Sequence, residues 1–295
     1  MVGTAAHYEN FPVASPLLPA GMRRHVAALY AFARAADDFA DEGARSQAER
    51  LTLLHGWQQR LRASVASDVP GPPPRDGEPA DTVALFVALG ASIRDRGLPV
   101  SLFEDLLSAF RQDVTTTRYG TWKDLLDYCR RSANPVGRLV LRIAGRDTAE
   151  RDLWSDEVCT ALQLTNFWQD LAIDFQRGRI YLPVEEMRAH HAREAELAIG
   201  TVSPAWQHAL AAASARTRVM FDSGRPVCDA VGGRLRYELR ATWLGGTRIL
   251  DRLERARFDV AHHRPTIGPR DAPWFAWKLM TWTTGSRRPS GRRDA

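Results

Sequence analysis

The chain has 295 residues, 44% of them apolar and 25% charged, a composition that supports a sizeable core and excludes disorder along the whole length. Its longest apolar run is about nine residues, Val83 to Ala91, well short of the roughly eighteen needed to span a membrane. The net charge of +5 is concentrated in the tail, where Arg287, Arg288, Arg292 and Arg293 face only Asp294. Residues 285–295 are therefore expected to be a disordered, solvated basic end. The other arginines are spread along the chain without forming a patch, so no nucleic-acid partner is expected. Met1 to Asn10 carries neither a basic start nor an apolar block, so no secretory signal is expected. Cys129, Cys159 and Cys228 are odd in number and far apart, which argues against a disulfide framework or zinc site and for a reducing, cytoplasmic setting.

In chain order, helical apolar spacing covers Arg23 to Glu42, Arg50 to Val65, Asp81 to Arg96, Ser101 to Thr117, Trp122 to Tyr128, Asp156 to Phe175, Ala205 to Val227 and Arg234 to Arg257. Breakers fall between these runs at Gly97-Leu98-Pro99, Asn134-Pro135, Gly178 and Pro183. Five prolines between Asp68 and Asp81 mark a surface loop joining two helices of one domain. The expectation is an all-α domain over residues 1–284. His190-His191 and His262-His263 read as exposed pairs. Gly232-Gly233 and Gly245-Gly246 read as packing or kink positions, not as a nucleotide-binding loop.

Two of these helices carry acidic stripes inside apolar surroundings. Tyr30, Arg34, Asp37 and Asp41 project within about 60° of one another, while Val26, Leu29, Ala33, Ala36, Phe39 and Ala40 cover the other faces. Asp37 and Asp41 stand at i and i+4, where like charges repel. Gln163, Asn166, Asp170 and Asp174 form a second stripe within about 80° of arc, among Leu162, Leu164, Phe167, Trp168, Leu171, Ile173 and Phe175. Paired carboxylates on buried helices are costly unless a cation neutralises them. One such stripe could be a solvated face or an arginine-paired one. Two point to a polyvalent cation shared between the helices, and the hard oxygen donors suit Mg²⁺. Zinc does not fit, because neither stripe holds His or Cys at ligand spacing. Arg34, with the run Arg177-Gly-Arg179-Ile-Tyr181, offers donors for phosphate oxygens.

At these residues the chain resembles the squalene and phytoene synthase family of head-to-head isoprenoid synthases. The two Asp-rich motifs match Asp37-x-x-x-Asp41 and Gln163-x-x-Asn166-x-x-x-Asp170-x-x-x-Asp174 in order and spacing, and the likeness runs from about His7 to about Arg270. The resemblance implies a single-domain, all-α isoprenoid-synthase bundle around a central cavity. It implies Mg²⁺ held by Asp37, Asp41, Asn166, Asp170 and Asp174 against a prenyl diphosphate. Tyr30 and Tyr181 would act at the catalytic centre. Arg34, Gln163, Arg179, Asp113 and Phe11 would contact substrate, and Tyr237 matches a late tyrosine of the cavity.

Within the family the chain is similar to the bacterial hopanoid-pathway hydroxysqualene synthases, the squalene synthases of the C type. The pointers are His7-Tyr-Glu-Asn-Phe-Pro-Val-Ala-Ser15, Ser132-Ala-Asn-Pro-Val-Gly-Arg138 and Asn166-Phe-Trp-Gln-Asp170. That likeness implies conversion of presqualene diphosphate to hydroxysqualene by ionisation, rearrangement and water capture. Its pathway partners would make presqualene diphosphate and reduce hydroxysqualene. Tyr8, Asn10 and Gln169 depart from phytoene and dehydrosqualene synthases, which usually carry small hydroxyl residues at the first two positions and arginine at the third. Two alternatives stay open: condensation of farnesyl or geranylgeranyl diphosphates, and a non-catalytic helical assembly protein on the same scaffold. For the cation such chemistry would form, Phe11, Phe32, Phe110, Phe167 and Trp168 are candidate stabilising rings or core. The tryptophan-rich turns at Trp274 and Trp277 to Trp282 read either as packing against the body or as an amphipathic end resting on a membrane surface, which would make the protein peripheral on the inner membrane.

Overall fold

The computed structural model describes residues 17–67 and 69–284. The segment His7 to Ser15, with Tyr8, Asn10 and the candidate Phe11, lies outside the described residues, as does the basic end 285–295. Thirteen α-helices are formed among the described residues: α1 Ala20–Asp41, α2 Gln47–Ala66, α3 Thr82–Arg96, α4 Val100–Thr115, α5 Trp122–Ser132, α6 Asn134–Ile143, α7 Ala149–Gln176, α8 Val184–Ala189, α9 Glu194–Ala198, α10 Pro204–Gly224, α11 Val227–Ala230, α12 Gly233–Arg255 and α13 Ala272–Met280. Extended pairing among them is limited to one isolated parallel bridge between Arg118 and Ile180.

Helix starts follow local chemistry. Ser46 and Glu49 close a capping box on α2, and Thr121 and Asp124 close one on α5. Thr148 accepts from the Arg151 amide and starts α7 seven residues before the apolar spacing of Asp156 to Phe175 suggests. Asn134-Pro135 falls at the break between α5 and α6, as expected, and also opens α6, because a proline in the first turn loses no intrahelical bond. Gly97 ends α3 in a left-handed conformation at φ +59, which only glycine adopts without penalty.

The central element is α7, 28 residues long, which packs against α5, α6, α10, α11 and α12 while α1 packs against α2, α3, α4 and α6. Apolar residues of these helices form one continuous core, with Trp57, Trp168 and Trp206 fully buried. Phe32 lies in that core against Trp57, Phe86 and Phe103, and Trp168 donates its indole N–H to Thr217 Oγ1 at 2.9 Å. Both are therefore packing residues. Close helix crossing explains Gly246, where a Cβ would lie 2.4 Å from Phe221 Cζ. Gly233 instead opens α12 at φ +63. No helix among the described residues is long and apolar enough to cross a membrane.

Candidate active site

The first stripe lies on the C-terminal half of α1 and the second on the C-terminal half of α7. They meet through the turn after α7. Ile180 donates its amide to the Thr117 carbonyl at 3.0 Å, and Val184 donates to Tyr119 at 2.9 Å. These bonds fix the chain between Arg179 and Tyr181 against the end of α4. Arg179 then reaches α1, donating to Asp41 Oδ2 at 3.0 Å and Oδ1 at 2.7 Å, and to the Asp113 carbonyl at 3.1 Å. Thus one guanidinium joins α1, α4 and the end of α7.

Asp37 keeps 43% of its side-chain surface exposed yet is closely ringed by protein. That burial, then the Asp41 carboxylate, pushes its carboxyl from the usual 3.8 up to about 7. Asp174 is likewise pushed up to about 7, by burial and then by Asp170, with Arg177, Arg179 and Asp41 also acting on it. Asp113 is pushed up to about 8 by burial, opposed by the Tyr128 hydroxyl, which donates to its Oδ2 at 2.8 Å. The buried Asp113 Oδ1 has no hydrogen-bond partner among the described residues. Arg34 turns along its own helix, 2.8 Å from Asp38, 3.2 Å from Glu42 and 3.7 Å from Asp37.

Tyr30 and Gln163 bring both stripes to the wall of a cavity of about 250 Å³. The remaining wall is mostly apolar, with Val136, Val140 and Leu141 from α6, Val158 and Leu162 from α7, and Val227 and Leu239 from α11 and α12. Gly137 also lines it, and a Cβ there would lie 2.2 Å from Ser155 Oγ. Asn166 is half-buried on the second stripe. Tyr181 is buried and stacks on Phe167 with ring centres 3.7 Å apart and 6° between planes. Tyr119 and Tyr128 complete the aromatic cluster.

One sequence candidate stands elsewhere. Tyr237 is 46% exposed and its ring lies beneath Arg240 at 5.9 Å, so it is not in the wall of this cavity. Three neighbours of the site escaped the sequence reading. Tyr119 and Tyr128 were hidden among ordinary apolar spacing. Arg264 lies in the chain after α12 and donates to Asp170 from Nε at 2.5 Å and Nη2 at 3.1 Å. No sequence pattern links residues 94 apart.

Among the described residues no three Asp, Glu, His or Cys side chains converge on one metal position. Asp41 and Asp170 are each closed by a bidentate arginine, which supplies the positive charge the stripes require. The donor set nevertheless suits a hard divalent cation, because it offers only oxygens, four carboxylates and the Asn166 amide, and two of the carboxyls are driven toward the protonated form by burial and like charge.

The sign of the resulting pH dependence is fixed. Asp37 and Asp174 hold protons in the native state up to about pH 7, whereas the unfolded chain loses them near 4. Their contribution to stability is fully present below about pH 4 and is lost as pH rises through about 7. A cation at these carboxylates relieves that loss above pH 7 and competes with protons below it. Mg²⁺ is therefore expected to raise the melting temperature more at pH 8 than at pH 6, measured by scanning calorimetry. An equal rise at both would remove these carboxylates from the cation site.

Comparison with known proteins places the fold in a family. A family model described as squalene/phytoene synthase matches residues 4–271. A hydroxysqualene synthase of Sinorhizobium fredii is 34% identical over 293 residues, spanning 98% of this chain and 93% of that one. One from Zymomonas mobilis is 37% identical over 218 residues, or 72% of this chain and 67% of the other. The crystal structure of squalene synthase HpnC from Alicyclobacillus acidocaldarius has a TM-score of 0.75 at 37% identity, covering 85% of this chain and 90% of that one. The all-helical architecture, the two acidic stripes joined through Arg179 and the match along most of the length have one meaning: this chain belongs to the squalene/phytoene synthase family.

Proposed function

We propose that the protein is a hydroxysqualene synthase, converting presqualene diphosphate to hydroxysqualene with release of diphosphate. The carbon–oxygen bond to diphosphate breaks, the cyclopropylcarbinyl cation left behind rearranges, and water adds its oxygen and sheds a proton to give the alcohol. The observation that carries this reading is the meeting of Asp41, Arg179 and Asp174 at one end of two stripes whose other ends, Tyr30 and Gln163, line an apolar cavity. Relatives named hydroxysqualene synthase, 33% to 37% identical, support it. The protein would act between an enzyme that makes presqualene diphosphate and one that reduces hydroxysqualene.

Asp37, Asp41, Asn166, Asp170 and Asp174 are the residues that would hold Mg²⁺, which when bound supplies Lewis-acid charge at the leaving diphosphate. Arg179 and Arg34 are planar donors that can exchange a carboxylate for phosphate oxygens. The walls formed by Val136, Val140, Leu141, Val158 and Leu162 exclude bulk water from a cation in the cavity. Phe167 and Tyr181 stack on each other and are not part of this cavity's wall, so they act as packing beside Arg179. Gln169 is buried and commits its amide N–H to the Pro265 carbonyl, so the side chain at this position itself brings no cation to a second diphosphate. That supports a single-diphosphate substrate over condensation.

The test is incubation with Mg²⁺ and either farnesyl or presqualene diphosphate, followed by mass spectrometry. A product alcohol carrying one oxygen, made from presqualene diphosphate, is expected. Presqualene diphosphate made from farnesyl diphosphate would replace this reading with the condensation. Absence of diphosphate release from any prenyl substrate would leave a non-catalytic assembly protein.

A further inference from the structure

The last helix is built the wrong way round for a water-soluble surface. None of the nine residues of α13 is buried. Pro273, Ala276, Trp277 and Met280 fall on one side of the helix by their spacing, and all four are exposed. Trp277 is 53% and Met280 79% exposed. The outward face is thus apolar, whereas a helix on a globular surface ordinarily turns its polar side to solvent.

This end of the chain is not loose. Before α13, Asp271 accepts hydrogen bonds from Arg252 and from the Gly268 amide. Along it, Trp274 lies beneath Arg248 of α12 at 4.5 Å. After it, Trp282 donates its indole N–H to Asp229 Oδ1 at 3.0 Å and is covered by Arg225 at 4.5 Å. Both ends are anchored while the apolar face points away. Cations frame that face. Lys278 Nζ lies 4.9 Å over the Trp277 ring, and Arg270 is exposed.

We propose that α13 docks the protein on an anionic phospholipid surface, with Trp277 and Met280 entering the headgroup boundary and Lys278 and Arg270 meeting lipid phosphates. Tryptophan and framing cations are the chemistry of interfacial helices, and basic side chains are drawn to anionic leaflets. A second copy of the chain suits the face less well. Four side chains fall far short of the roughly twenty to thirty residues a side of a stable interface, and two cationic rims would repel. The placement also serves the apolar cavity, since Val227 and Leu239 in its wall belong to α11 and α12, the helices against which Trp282 is fixed.

Vesicle flotation of the full chain tests this without substrate, so its outcome is independent of the catalytic reading. Binding is expected to phosphatidylcholine vesicles containing about one-third phosphatidylglycerol, not to phosphatidylcholine alone, and it should weaken with salt. The double variant Trp277→Glu, Met280→Glu is expected to lose binding by about tenfold or more with an unchanged circular dichroism melt. Wild-type protein that floats with neither vesicle, or a double variant that floats like wild type, would overturn the proposal. Binding lost only when Arg287, Arg288, Arg292 and Arg293 become Gln would assign it to the tail and overturn it as well. A dimer that the double variant dissociates, without vesicle binding, would show the face to be a protein interface instead.

Discussion

Asp170→Asn is expected to lower diphosphate release by about a hundred- to a thousandfold, the scale on which loss of one charge-stabilising group acts at a transition state. An amide keeps the size of the carboxylate and discards its charge, so it is a poor ligand for a hard cation. The fold should tolerate it. Asp170 is 15% exposed and its partner Arg264 32%, so the pair lies between the surface and buried limits. An amide oxygen can still accept from Arg264, so the change is expected to cost about 1 to 3 kcal/mol. The same change should bring Asp174 back down toward the ordinary carboxyl range, because Asp170 is one of the causes that raise it. Single-turnover diphosphate release with a parallel thermal melt separates the two effects. Full activity with an unchanged melt would take the metal-binding role away from this position.

The largest stability effect is expected at Trp57→Ala, a loss of about 3 to 5 kcal/mol. Trp57 has no exposed surface, and its ring meets Phe86 at 4.6 Å, Phe39 at 5.1 Å and Phe32 at 6.1 Å. Its indole N–H donates to the Phe32 carbonyl at 3.2 Å, so truncation leaves both a void and a broken bond. Urea denaturation should show a lower midpoint with an unchanged slope. A loss under about 1 kcal/mol would mean that this cluster does not hold α1 in place. Activity should fall too in the surviving folded protein, because Phe32 and Phe39 belong to the helix that carries Asp37 and Asp41.

Much of this architecture could be read from residue order because helices are local. Eight long or medium helices follow from apolar spacing alone, and the acidic stripes on α1 and α7 stand out because charge at i and i+4 conflicts with an apolar helix. The departures have equally local reasons. The start of α7 lies before its apolar stretch because Thr148 caps a polar first turn, and the proline read as a breaker also opens α6. What spacing could not supply is who neutralises whom. Asp41 finds Arg179, Asp170 finds Arg264, and Asp113 finds Tyr128. Each pairing depends on how loops fold back, information distributed over the whole core. Tyr237 shows the converse, since a motif match placed it in the cavity while the turn of α12 leaves it outward.

The proline-rich connection between α2 and α3 is more than a spacer. Arg60, itself buried, donates to the Pro72 and Pro73 carbonyls at 2.8 Å each and forks onto Glu78 at 3.0 and 2.7 Å. A guanidinium thereby staples a stretch that would otherwise sway. Proteases require slack chain to thread a substrate segment into their clefts, and this exposed stretch offers little. It should resist nicking in spite of its position, and lengthening it by insertion should unseat the staple and loosen both flanking helices together.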